Sequence, residues 1–318
     1  MRLRDLLAAA LDRCGRVSAA RRPAVWGVAR LYAWGLISGK HAAMGSAAFG
    51  HGQVLRREVE LVPGRRLTLT LPLDGSGTPE LLFNAIYDHP GEGSTFRVFG
   101  ALATSARCVC DIGAHVGAFT YLAASAVPPG ASVFAFEPIP ELSDLIRRNL
   151  EANRLEHGTV VAAAVGAASG QATLFIPPGL DMASLHREWA ASAHTELREQ
   201  VVPVISLDLF FAERPAKPDL IKIDVEQHER EVVASLRAIA QQSHPDLIIE
   251  LLGDVRESSL VNDLECEYGY ATYYISNLAL HRVDATRPLP YVPGYYNFLF
   301  TRRPLDELRQ RLPIPVEA

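Results

Sequence analysis

Five ionisable residues, Asp224, Glu226, His228, Glu229 and Arg230, crowd the end of a short apolar run in DLIKIDVEQHERE, residues 219–231. In parallel α/β sheets ligands bind outside the carboxyl ends of the strands, so charge gathered there marks a candidate site. Alternation along DLIKIDV puts Lys222, Asp224 and Glu226 on one face, and a lysine buried there requires a carboxylate such as Asp224. Asp224, Glu226 and His228 are candidate catalytic bases for an oxygen nucleophile, with His228 titrating nearest neutrality. Glu250, ending the later run PDLIIEL, would complete a carboxylate group able to hold Mg²⁺ or a substrate cation. Three carboxylates at strand ends define no coordination geometry, so no residue is assigned as a metal ligand. The plainer readings are that Glu229 and Arg230 open a solvated helix face and that His228 is a surface histidine.

A second set of candidates lies in CDIGAHVGAF and SVFAFEP. Gly113 permits a tight turn, and Gly117 permits close approach of a ligand where a Cβ would intrude. Asp111, just before the turn, repels phosphate and suits an ammonium or a sulfonium-bearing amino acid. Glu137, at the next strand end, is placed to accept both hydroxyls of a ribose. Together the two carboxylates select a nucleoside carrying an amino acid, which is the chemistry of S-adenosylmethionine. The G-x-G-x-x-G spacing of a dinucleotide site is missing, which disfavours a nicotinamide cofactor. Taken singly, Asp111 could cap the turn and Glu137 could be a solvated strand end.

These residues need a scaffold. RCVCDIG, SVFAFEP, TVVAAAVG, ATLFI, VVPVISLD, DLIKIDV and PDLIIEL read as strands, the first two and DLIKIDV each followed by a helical pattern. Strands alternating with helices imply a mostly parallel sheet with helices on both faces. The aromatic tail, YATYYIS, LALHRV and YYNFLFT, suggests an antiparallel C-terminal edge. Residues 177–200 are polar and irregular, a candidate loop over the site. Upstream, residues 1–50 are rich in Ala, Leu and Arg, as helices are, and REVELVPGRRLTLTLPLDG alternates about a Pro-Gly turn, as a hairpin does. The expected division is an N-terminal helical and hairpin cap, residues 1–100, and a cofactor-binding domain, residues 101–318.

The ordered set CDIGAHVGAFTYLAA, VFAFEPIPELSDLIRRNLEAN, AVGAASGQATLF, VPVISLD, DLIKIDVEQHEREVV and PDLIIEL, residues 105–252, resembles the FkbM family of S-adenosylmethionine-dependent methyltransferases. The resemblance implies a class I methyltransferase, Rossmann-like α/β fold, with Gly113 and Gly117 at the cofactor turn, His115 inside it and Glu137 on the ribose. It also implies that Glu92, in HPGEGSTF, reaches the cofactor pocket. The implied activity is methylation, most often of a hydroxyl on a small specialised metabolite or a glycan. Two positions depart from the family's pattern: His115 stands where Asn is usual and Gln227 where Gly is usual. They keep open a non-catalytic relative that binds a nucleotide or a partner, and an NAD-dependent oxidoreductase stands further off.

Composition narrows the partners. A net charge of −5 over 318 residues supplies no basic field for a phosphate backbone, so nucleic acid is not expected. Four scattered cysteines, Cys14, Cys108, Cys110 and Cys266, form no metal pair or disulfide framework and fit a cytoplasmic protein. The most apolar stretch, PAVWGVARLYAWGLISG, is interrupted by Arg30 and is too short to span a bilayer. Its expected place is packed against the main domain, and a homo-oligomer is compatible with all of this.

Overall fold

A computed structural model describes residues 54–72, 90–178, 180, 182–192, 196–252, 260–283 and 296–317. The expected helices before residue 51 lie outside the described residues.

Strands β1 (Val54–Val62) and β2 (Arg65–Pro72) form the expected antiparallel hairpin about Pro63 and Gly64. Helix α1 (Pro90–Ala103) leads into β3 (Cys108–Ile112), α2 (Ala118–Ala126), β4 (Ser132–Phe136), α3 (Pro140–Ala152) and β5 (Gly158–Val161). A second group follows: β6 (Ala164–Val165), β7 (Gly170–Ile176), α4 (Arg187–Ala191), β8 (Arg198–Ile205) and α5 (Leu207–Phe211). The chain then returns through β9 (Leu220–Ile223), α6 (Glu229–Ala234), α7 (Arg237–Gln242) and β10 (Asp246–Glu250). The last elements are α8 (Leu260–Tyr268), β11 (Ala271–Ile275), β12 (Leu280–Arg282), β13 (Asn297–Thr301), α9 (Leu305–Arg311) and β14 (Val316–Glu317).

The main sheet has the order β14-β12-β11-β13-β10-β9-β3-β4-β5. Strands β10, β9, β3, β4 and β5 run parallel, while β13 pairs antiparallel with both β10 and β11, as the aromatic tail predicted. From β3 the chain winds outward to β4 and β5, then returns to β9 on the other side. The order therefore reverses between β3 and β9, and a crevice opens at that switch point. Alternation along β3 sends Cys108, Cys110 and Ile112 into one apolar layer and Val109 into the other. Both faces of the sheet are covered, which is why its central strands read as near-continuous apolar runs.

TVVAAAVG is not one strand. It breaks after Val161, and Ala164–Val165 leaves the main sheet to pair with β8 in a separate three-stranded sheet, β6-β8-β7. The hairpin is tied to α3 by two asparagines that act as a surrogate strand. Asn153 exchanges bonds of 2.7 and 2.9 Å with the backbone N–H and C=O of Thr68, and Asn149 does the same with Thr70 at 2.8 and 2.9 Å. Each such bond contributes about 1 kcal/mol, and together they cover a strand edge that would otherwise invite pairing. Helix α1 runs across residue 100, where the cap was expected to end, and packs on α2 and on β9, β11 and β13.

Candidate functional site

The ends of β3, β4 and β9 open on one cleft of about 190 Å³. Gly113, His115 and Glu137 line one wall, and Asp224, Glu226 and His228 line the other. Leu180, Met182, Ser184 and Leu185, from the segment read as a loop over the site, form its cover.

The turn after β3 is built on its neighbours. Gly113 and Ala114 donate their N–H groups to Phe136 O at 3.0 and 3.1 Å, and Asp224 N donates to Ile112 O at 3.0 Å. Gly113 has φ +78°, and a Cβ on it would stand 1.8 Å from Asp224 O, so this glycine lets β3 and β9 close up at the switch point. Gly117 also has a positive φ, +88°, but a Cβ there would strike the Tyr121 ring at 2.7 Å. Packing of α2 by itself is enough to require glycine at 117.

Glu137 is buried at the tip of β4. Its Oε2 accepts His115 N at 2.7 Å and its Oε1 accepts Ile139 N at 2.8 Å. Burial pushes its carboxyl up to about 8, against the pull of these two N–H donors. Below that pH the group carries one O–H to donate and keeps a lone pair to accept a hydroxyl from the cleft. His115 sits at φ +52°, in the left-handed region that His, like Asn and Asp, enters more often than other residues.

Asp111 does not line the cleft. It is buried behind the turn, where its carboxylate accepts Thr120 Oγ1 at 2.6 Å, and burial pushes it up to about 6. Lys222 faces it across the strand pair and is 1% exposed, with its ammonium 3.1 Å from Asp224 Oδ2 and over the Phe119 ring. Burial would lower the Lys222 pKa, but Asp224, Glu250 and Glu92 outweigh it and keep the ammonium charged. Asp224 is likewise held ionised by Lys222 against burial, while burial and the Asp224 charge drive Glu250 well above the carboxylate range. Glu92, in the first turn of α1, accepts Asn297 Nδ2 at 3.1 Å and belongs to this buried charge cluster. It is not among the residues lining the cleft.

Glu226 lies beyond the end of β9, at φ +53°, so strand alternation does not set its place, yet one carboxylate oxygen each from Glu226, Asp224 and Glu250 lie within 4.8 Å of one another, the carboxylate group expected from the sequence. Glu226 Oε2 accepts Trp189 Nε1 at 2.7 Å, and its backbone O accepts Ser184 Oγ at 2.6 Å, which docks the covering loop on the β9 end. Gln227 follows at φ +79°, where glycine costs least, and its Nε2 donates to Leu252 O at 2.7 Å. Glu229 is not solvated: it is 2% exposed, and its Oε1 accepts the N–H groups of Gln227 and Val225 at 3.2 and 3.4 Å. Two consecutive left-handed residues fold the loop back over Glu229, and burial pushes its carboxyl up to about 7. Arg230 is exposed, as expected. His228 lines the cleft, and burial lowers its pKa, favouring the neutral ring. Its Nδ1 lies 3.2 Å from His186 Nε2 and 3.5 Å from Glu231 Oε2.

The methyltransferase FkbM domain model matches residues 111–271, which contain both walls of the cleft. The chain belongs to this family. Hexuronic acid methyltransferase AglP of Haloferax volcanii is 27% identical over 167 residues, 52% of this chain and 64% of that protein. The crystal structure of methyltransferase FkbM from Methylobacillus flagellatus matches at 17% identity and TM-score 0.39, covering 68% of this chain and 49% of that one. The Bacillus cereus O-methyltransferase solved in complex with SAH matches at 15% identity and TM-score 0.39, covering 69% and 86%. The match to AglP thus spans less than two thirds of that protein's length. Among the described residues, no helix is long and apolar enough to cross a membrane.

Sequence reasoning passed over Ser184, His186, Trp189 and Glu231. A tryptophan in the polar stretch 177–200 was the available signal for the loop's anchor; His186 had none, because its partner is 42 residues away.

Proposed function

We propose that the protein transfers a methyl group from S-adenosylmethionine to a hydroxyl of a small-molecule or glycan acceptor. The observation that carries this reading is Glu137, a carboxylate at the tip of the strand beside the switch point, with both oxygens fixed by backbone N–H groups and facing a cleft. That position suits a ribose diol. The lining fits the rest of such a cofactor: Ile139, Leu142 and Ala163 give an apolar shelf for a base, and Asp224 gives a negative group for the cationic amino-acid end. When bound, the cofactor supplies an electrophilic methyl group.

The chain's own residues then divide the work. Glu137 and the Gly113 turn hold the nucleoside, while Asp111 and Thr120 brace the turn from behind. Lys222 keeps Asp224 ionised at neutral pH, so Asp224 can hold the cationic amino-acid end. Glu226, fixed by Trp189, accepts the hydrogen bond of the acceptor hydroxyl and takes its proton as the oxygen attacks, and His228 forms the rim of the same wall. The covering loop excludes water from the reacting atoms. A sugar-acid acceptor is supported by the relative named as a hexuronic acid methyltransferase.

The test is calorimetric titration of the full chain with S-adenosylhomocysteine and, in parallel, NAD⁺, repeated on E137A with its fold checked by circular dichroism. Micromolar binding of S-adenosylhomocysteine alone, weakened at least tenfold in E137A, supports the reading. Binding of neither nucleotide, or of NAD⁺ only, overturns it.

A further inference from the structure

His186, His228 and Glu231 come from different parts of the chain: the covering loop, the β9–α6 loop and the first turn of α6. One ligand atom from each lies within 4.8 Å of the other two. The two measured separations at His228 Nδ1, 3.2 Å to His186 Nε2 and 3.5 Å to Glu231 Oε2, match a metal's ligand set. Ligands held about 2.1 Å from a tetrahedral ion stand about 3.4 Å from one another.

Hydrogen bonding among the three is poorly balanced. His228 Nδ1 faces two acceptor-capable atoms and, in a neutral ring, has one proton at most. If His186 donates to it, the Glu231 carboxylate is left facing a lone pair. A divalent cation satisfies all three lone pairs at once.

We propose that these residues bind a divalent transition metal, with Zn²⁺ as the type, at the rim of the cleft. The positions are prepared by the surrounding structure. His186 N donates to Ser184 Oγ at 3.0 Å, and Ser184 bridges to Phe175 of β7. Room for the His228 ring is left by Gly166, where a Cβ would come within 3.3 Å of Nε2. Two imidazoles and a carboxylate suit Zn²⁺, Co²⁺ or Ni²⁺, whereas the other cluster, Asp224, Glu226 and Glu250, offers oxygen alone, and its Asp224 is already paired with Lys222. Three protein ligands leave a coordination position open, and His228 puts the ion at the cleft edge. The ion would also pin the covering loop to α6. The assignment stands independently of the methyl-transfer reading.

The experiment uses tag-free, chelator-stripped full-length protein, titrated with Co²⁺ by visible absorption and with Zn²⁺ by calorimetry. One ion per chain with visible d–d bands is expected. H186A, at an exposed side chain and with its fold verified by circular dichroism, weakens uptake at least a hundredfold, while E250Q leaves it unchanged. No uptake at micromolar metal, uptake indifferent to H186A, or uptake abolished by E250Q would each overturn the site.

Discussion

Asp111 on β3 and Lys222 on β9 stand directly opposite each other in the sheet, on the face covered by α2. Two ionisable groups thus occupy positions that an apolar pair would fill at less cost. Lys222 links this buried pair to the cleft, because its ammonium also meets Asp224 at 3.1 Å.

Removing the cation should be costly. K222M leaves Asp224 without its counter-charge; breaking a buried pair typically costs about 3–5 kcal/mol, and because the Asp224 side chain is 34% exposed, a loss of about 1–3 kcal/mol is expected in urea unfolding. A loss under about 1 kcal/mol would mean that the cluster is solvated.

Stability should fall as pH rises through neutrality. Burial pushes Asp111 up to about 6, Glu229 up to about 7 and Glu137 up to about 8, so the fold retains protons that the unfolded chain releases above its ordinary carboxylate range. Their contribution is complete below about pH 4 and is lost progressively as pH climbs from there through 6, 7 and 8, the folded values of the three groups. Urea midpoints at successive pH values should decline across that window, and E137Q, which cannot ionise, should flatten the upper part. A midpoint that climbs steadily instead would contradict the burial of these groups.

Of the five glycines with positive φ among the described residues, Gly64, Gly113 and Gly117 differ in surroundings, so alanine at each separates backbone strain from collision. Gly64 has nothing within 4 Å of an added Cβ, and G64A should cost about 1 kcal/mol. G117A, meeting Tyr121, should cost about 2–4 kcal/mol. G113A, colliding with backbone at 1.8 Å, should yield little folded protein. Thermal melts and soluble yield check this order.

Gln227 offers a test in the opposite direction. Q227G removes left-handed strain of about 1 kcal/mol and loses one bond to Leu252 O of similar worth, so stability should change by under about 0.5 kcal/mol. Q227A keeps the strain and loses the bond, and should cost about 1 kcal/mol. Equal stabilities for the two variants would show that the φ value at 227 carries no strain.

The parallel core was legible because each central strand is a continuous apolar run that ends in charge or glycine. Asp111, Glu137 and Asp224 were each read as strand-end residues on that ground. What such patterns omit is the direction in which a loop turns after its strand. Glu226 followed alternation on paper, but the left-handed pair 226–227 turned it toward Trp189 and buried Glu229, which has the composition of an exposed helix start. TVVAAAVG gave no sign of its break, because small apolar residues suit either sheet. His186 met His228 only through tertiary folding, which no local spacing encodes.

The cover of the cleft hangs from β7 and β8, whose hydrogen bonds are to each other and to β6, and not to the nine-stranded sheet. The cover is therefore held to the strand ends by side chains, Ser184 and Trp189 on Glu226, rather than by a shared ladder. A change in those two side chains would loosen the cover and leave intact the strand pairing beneath Gly113, Glu137 and Asp224.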